Sequence, residues 1–158
     1  MFSPVYSQLL PDRFQATANN GCVKKEWSNF NSTALREDFN IDCDGTGVIV
    51  DANGGLILKA DRTCWWPGIT YKHNDIHYGT ATVELTMAAV SGWATAFIRG
   101  KEKGDEIDLE WVGPKTDAVE TMFYKNGERV KGNYLNKDLR LWDPNAKPMS
   151  EEFYRYEI

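Results

Sequence analysis

From Gly47 onward, apolar and polar residues alternate with a period of two, the spacing of strands buried on one face. Residues 48–51 and 56–59 are apolar runs on either side of Ala52-Asn53-Gly54-Gly55, which predicts a hairpin. Residues 78–87 set Ala81, Val83, Leu85 and Met87 against Thr80, Thr82, Glu84 and Thr86, so this is a second clear strand. Residues 93–98 are a short apolar strand after the Ser91-Gly92 turn, and residues 99–104 are a charged loop. Residues 119–124 form a strand that ends on Asn126-Gly127, the strongest hairpin signal in the chain. Residues 137–148 are loop, and residues 153–158 open a further strand. Before Gly47 the pattern fades: residues 19–38 are polar, rich in turn formers, and read as loop or extended segment. The division predicted is a polar N-terminal segment at 1–46, partly loop, and a β-sandwich at 47–158.

Residues 104–113 depart from ordinary strand chemistry. Glu106, Asp108 and Glu110 stand at every second position, interleaved by Ile107, Leu109 and Trp111. As a strand, one face is all acid and the other all core; as a helix, the acids scatter and no apolar stripe remains. An edge that needs only solubility mixes its charges, whereas three like charges in line, about 6.6–7 Å apart from Cα to Cα, repel one another. A hard-cation site would take carboxylate oxygens too, but usually from loops that add carbonyl ligands. Glycoside chemistry suits the row better. Retaining glycosidases need two carboxyls about 5–5.5 Å apart, one as nucleophile and one as general acid/base. Glu106 and Glu110, roughly 13 Å apart at Cα, can supply them if their side chains lean together. Asp108 lies between, placed to hold the nucleophile by a hydrogen bond. Crowded carboxyls raise the proton affinity of at least one member, and the set titrates as a coupled unit.

Composition narrows the partners. A net charge of −5 gives nucleic acid no basic face to bind. No apolar run approaches the ~20 residues of a membrane span. Six tryptophans and seven tyrosines are many, and while most should fill a β-core, flat rings also suit the faces of sugars. Residues 1–18 do not read as a secretory leader, and Asn31-Ser32-Thr33 is a glycosylation sequon, weak support for secretion. Cys22, Cys43 and Cys64 allow three pairings or three reduced thiols, and the spacing does not choose. No cofactor or resident metal is expected, and the oligomeric state is not legible.

Asp-Glu-Ile-Asp-Leu-Glu-Trp-Val-Gly, residues 105–113, resembles the active-site motif of glycoside hydrolase family 16. The fit is to its fungal cell-wall branch, the Crh-type transglycosylases that join chitin to β-glucan; plant xyloglucan transglycosylases and bacterial β-glucanases share the core pattern. A strand like 78–87 and a Gly-x-x-x-x-Phe strand like 92–97 also come before the motif in that family, so the resemblance runs over residues 47–124. It implies Glu106 as nucleophile, Asp108 as the assisting residue and Glu110 as acid/base. It implies an all-β, concanavalin A-like jelly roll of stacked antiparallel sheets, and an extracellular or cell-wall location. Relatives often carry Gln-Thr-Asn where this chain has Glu120-Thr121-Met122, a departure that touches sugar contacts. If residues 119–124 pair with the acidic strand, Glu120, Met122 and Tyr124 share its acid face, and Glu120 and Tyr124 become substrate-binding candidates.

Family domains are longer, so the chain is expected to hold the first half to two-thirds of one and to be incomplete at its C-terminus. The expected activity is that of a retaining β-glycosidase or transglycosylase on a cell-wall polysaccharide, β-glucan and/or chitin. The runner-up is a non-catalytic, lectin-like carbohydrate-binding module on the same fold. The full acid trio separates the two, because binding alone does not require it.

Overall fold

The computed structural model describes residues 5–9, 14–17, 25–27, 30, 32–73, 79–100, 104–131, 135–138 and 143–158. The strands are β1 Val5–Leu9, β2 Phe14–Thr17, β3 Lys25–Trp27, β4 Phe39–Ile41, β5 Val48–Val50, β6 Leu56–Ala60, β7 Ile69–Tyr71, β8 Thr80–Thr86, β9 Ala94–Gly100, β10 Glu106–Val112, β11 Ala118–Lys125, β12 Glu128–Arg129, β13 Leu135–Asp138 and β14 Tyr154–Glu157. A short α-helix, α1 Ser32–Asp38, runs directly into β4, and Cys43–Gly45 form a 3-10 turn. Antiparallel pairing joins β1 and β5 to β6, β2 and β14 to β8, β2 to β3, and β4 to β7. It also joins β10 to β9 and β11, and β11 to β12 and β13. The all-β class required by a family 16 jelly roll is therefore present. The chain forms two compact units, Met1–Leu85 with Tyr154–Glu157, and Thr86–Phe153 with Ile158.

In the first unit, a sheet runs in the order β3-β2-β8-β1-β6-β5, with β14 also paired to β8. The predicted hairpin is there: Val48 faces Leu58 and Val50 faces Leu56. Its turn is built by Asp51, whose Oδ1 accepts from the Asn53 and Gly55 amides at 2.7 and 3.0 Å. Strand β8 buries Ala81, Val83 and Leu85 as its alternation requires. A cluster of Phe30, Leu35, Phe39 and Leu56 forms the core, with Ile41, Val48, Val50, Ile69 and Tyr71 against it. Phe39 and Tyr71 face each other across β4 and β7 with their rings edge-on at 5.7 Å. Cys43 and Cys64 form a disulfide, which settles one of the pairings left open and rules out three reduced thiols. Gly47 lies hard against it, since a Cβ there would come within 2.6 Å of the Cys64 sulfur.

Several expectations change. Within residues 19–38, β3 is extended as read but α1 is a helix, neither loop nor extended chain, and strands begin well before Gly47. These strands were hidden because their partners are distant, as where Val5 pairs with Ala60, and because three to five residues are too few to show a period. Strand β13 carries pairing through Asp138, so Lys137 and Asp138 are not loop. Arg99 and Gly100 close β9 and do not belong to the charged loop. Cys22, Asn31 of the sequon, Tyr78 and Trp142 lie outside the described residues.

The second unit holds a five-stranded sheet in the order β12-β11-β10-β9, with β13 also on β11. The acidic strand β10 is thus interior, hydrogen-bonded along both sides. Its C-terminal end is anchored by Trp111, the largest fully buried side chain among the described residues, at 0 % exposure; truncating such a residue costs about 3–5 kcal/mol. Trp111 faces Thr95 on β9, and the Thr95 hydroxyl accepts from the Ala88 amide at 3.1 Å. Just beyond, the Gly113 amide donates to the Trp93 carbonyl at 3.0 Å. The N-terminal end is held by the Asn126-Gly127 turn. Both residues have positive φ, 53° and 79°, as a type I′ hairpin demands. The Gly127 amide donates to the Gly104 carbonyl at 2.7 Å, and the Asn126 amide to Asp105 Oδ1 at 3.0 Å.

Candidate active site

Strand pairing fixes what borders the acid row. On β11, Tyr124 stands opposite Glu106, Met122 opposite Asp108, and Glu120 opposite Glu110. On β9, Gly100 stands opposite Glu106, Ile98 opposite Asp108, and Ala96 opposite Glu110. Directly opposed residues of an antiparallel pair share a face. The predicted partners Glu120 and Tyr124 are therefore brought beside the predicted catalytic trio.

Burial along β10 differs from the simple two-faced expectation. Asp108 is only 3 % exposed, while Ile107 on the opposite face is 40 % exposed. Glu106 and Glu110 are half-buried on either side of Asp108. Alternation decides which side of a sheet a residue takes, and neighbouring side chains decide how much water reaches it. Asp108 sits between the two glutamates along the strand and between Ile98 and Met122 across it.

This setting changes its acidity. Burial, then the charges of Glu106 and Glu110, then a hydrogen bond with Glu106, push the Asp108 carboxyl up to about 6. Its Oδ1 has no hydrogen-bond partner among the described residues. A buried oxygen without a donor favours the neutral acid, which donates its proton to the Glu106 carboxylate. Glu110 is also raised above the usual carboxylate range, first by burial, then by Glu120 and Glu106. The row therefore combines a central carboxyl whose proton affinity is raised to about 6 with a second carboxyl of raised proton affinity at Glu110. Glu120 is ion-paired with Lys115, Nζ to Oε1 at 3.6 Å. The Tyr124 hydroxyl lies 3.8 Å from the Met122 sulfur.

Two residues at the site were not singled out from the sequence, Gly100 and Lys115. Gly100 closes an apolar strand with the one residue that has no side chain, and this was the available signal. Lys115 gave none: it is a lone cation in the loop after Gly113-Pro114.

Among the described residues, no group of three or more His, Cys, Asp or Glu is arranged to hold a metal ion. No helix of the described residues is long and apolar enough to cross a membrane.

Residues 35–158 match the glycosyl hydrolases family 16. The chain belongs to this family. Among similar proteins is "Probable glycosidase CRR1" of Saccharomyces cerevisiae, 31 % identical over 93 residues, covering 59 % of this chain and 22 % of that protein. "Crh-like protein 2" of Aspergillus fumigatus is 28 % identical over 112 residues, covering 68 % of this chain and 25 % of the relative. "Congo red hypersensitive protein 2" of Saccharomyces cerevisiae is 27 % identical over 106 residues, 67 % of this chain and 19 % of the relative. The aligned stretches thus span about a fifth to a quarter of the length of these curated relatives. No solved structure matches the chain.

Proposed function

We propose that this chain carries the catalytic strand of a retaining β-glycosidase or transglycosylase that acts on a cell-wall polysaccharide, β-glucan and/or chitin. One observation supports this most: Glu106, Asp108 and Glu110 share one face of an interior strand, and the central carboxyl is buried and hydrogen-bonded to Glu106. A probable glycosidase and a Crh-like protein among the similar proteins support glycosidase chemistry, and the substrate class follows from the resemblance of the motif to the Crh-type branch.

In this reading Glu106 is the nucleophile. Its carboxylate attacks the anomeric carbon while Glu110, its proton affinity raised by burial and by Glu120 and Glu106, gives its proton to the leaving glycosidic oxygen. The C–O bond to the leaving sugar breaks and a glycosyl ester on Glu106 forms. Glu110, now a carboxylate, takes a proton from water or from an acceptor sugar hydroxyl. That oxygen attacks the anomeric carbon and releases Glu106, with net retention. Asp108 holds Glu106 in place through its hydrogen bond and keeps its own proton. Tyr124 borders the nucleophile and Glu120 the acid/base, where both reach a bound sugar. No cofactor takes part, and a cell-wall substrate together with the resemblance supports a location outside the cell or in its wall.

The test is incubation of the full chain with short β-1,3-glucan and chitin oligosaccharides, followed by mass spectrometry of the products. Shorter or longer oligomers are expected, absent with Glu106→Gln; longer ones specify transfer. Folded protein that binds these sugars yet yields no new oligomers would leave the lectin-like module as the better reading.

A further inference from the structure

The departure at Glu120 puts a fourth carboxyl on the acid face. In register it stands directly across from Glu110. It is half-buried and ion-paired with the exposed Lys115 at 3.6 Å. We propose that the Glu120–Lys115 pair is a positioning device for the reaction: Glu120 holds the proton on Glu110, and Lys115 limits how strongly it does so. This rests on the reading of Glu110 as acid/base.

The charges facing Glu110 leave few other sources. Across on β9, Ala94, Ala96 and Ile98 carry none. Along β10 there are Glu106 and Asp108, and Asp108 retains its own proton up to about pH 6. On β11, Glu120 is flanked by Met122 and Ala118, both uncharged. Further out in register, Asn136 and Asp138 on β13 stand opposite Glu120 and Ala118, and Arg129 on β12 stands opposite Tyr124. Glu120 is therefore the acid directly opposed to Glu110, and after burial it is the largest cause of the raised proton affinity there. A like charge at this range favours the protonated form, and a cation on that charge weakens the effect. An amide at position 120 would offer a hydrogen bond with no such influence.

The two members of the pair must then act in opposite directions. Titration of Glu110 is followed by carbon-13 NMR of its carboxyl in the folded chain, so the readout does not depend on turnover. Glu120→Gln is expected to lower the Glu110 midpoint by about half to one pH unit. Lys115→Met, at an exposed site that the fold tolerates, is expected to raise it. The double variant should titrate like Glu120→Gln alone, because Lys115 acts through Glu120. Where turnover is measured, the basic limb of the pH–rate profile should move with the midpoint. An unchanged Glu110 midpoint in Glu120→Gln overturns the proposal, as does movement of both single variants in the same direction. A raised KM with an unmoved basic limb would make Glu120 a sugar contact alone, without hold on the Glu110 proton, and overturn the proposal. Full activity in Glu110→Gln would overturn the acid/base reading itself, a separate failure from either of these.

Discussion

Gly100 faces Glu106 across the β9–β10 pair so closely that a Cβ on the glycine would lie 2.6 Å from both Cα and Cβ of the glutamate. The nearest atoms include backbone, so the contact has no flexible end that could swing aside. Gly100→Ala must displace the start of β10 and with it the proposed nucleophile. Overpacking of this kind costs about 1–3 kcal/mol. The expected result is a lower unfolding midpoint and a loss of turnover larger than the unfolded fraction explains. Equal activity per folded molecule would show that Glu106 does not depend on this approach.

Asp108 gives the chain a predictable pH dependence of stability. Its carboxyl moves from the ordinary 3.8 to about 6 on folding, so the folded state binds the proton more tightly. Between those two values the folded chain holds more protons than the unfolded one, and stability falls as pH rises through the window. Above about pH 6 the full cost, roughly 3 kcal/mol, is in place. Asp108→Asn removes it. The variant should be more stable than the parent at pH 7, show a flatter urea-unfolding profile between pH 4 and 6, and turn over more slowly because Glu106 has lost its acidic partner. Parallel stability curves for the two proteins would contradict this linkage.

The Cys43–Cys64 bond closes a loop with a sequence separation of 21. Cross-links of this span restrict the unfolded chain by about 3 kcal/mol. Reductant, or Cys43→Ser with Cys64→Ser, is expected to lower the thermal midpoint of the first unit by several degrees. A midpoint indifferent to reductant would show that the bond does not form in the purified chain.

Gly127 sits at φ 79° in the I′ turn, where an alanine side chain is strained by roughly 1–2 kcal/mol. Gly127→Ala should destabilise the chain by about that amount in denaturant titration. Asp105→Ala, which removes the acceptor for the Asn126 amide, should show a smaller loss in the same assay.

Much of the site was written in short-range pattern. The alternation of 106–111 identified β10, Asn126-Gly127 ended β11 at the right place, and the same parity put Glu120 and Tyr124 on the acid side. Local pattern failed where structure depends on distant partners. Val5–Leu9 is a strand through its pairing with Leu56–Ala60, and Lys25–Glu26–Trp27 through Phe14–Ala16. It also failed for depth. Ile107 was read on the core face and is exposed, whereas Asp108, read on the acid face, is buried. The ion pair of Lys115 with Glu120 joins a loop to a strand, and composition carries no trace of such a contact.

The clamp between the Asn126-Gly127 turn and residues 104–105 has a consequence for how this site can change over time. Side chains on a strand answer only to odd or even position, so a slip of one residue would turn all three acids to the other face together. Two hydrogen bonds from a neighbouring turn hold that count at the point where β10 begins. Single-residue insertions or deletions between Gly104 and Glu106 should therefore act as a switch, abolishing the acid row outright, while paired ones preserve it.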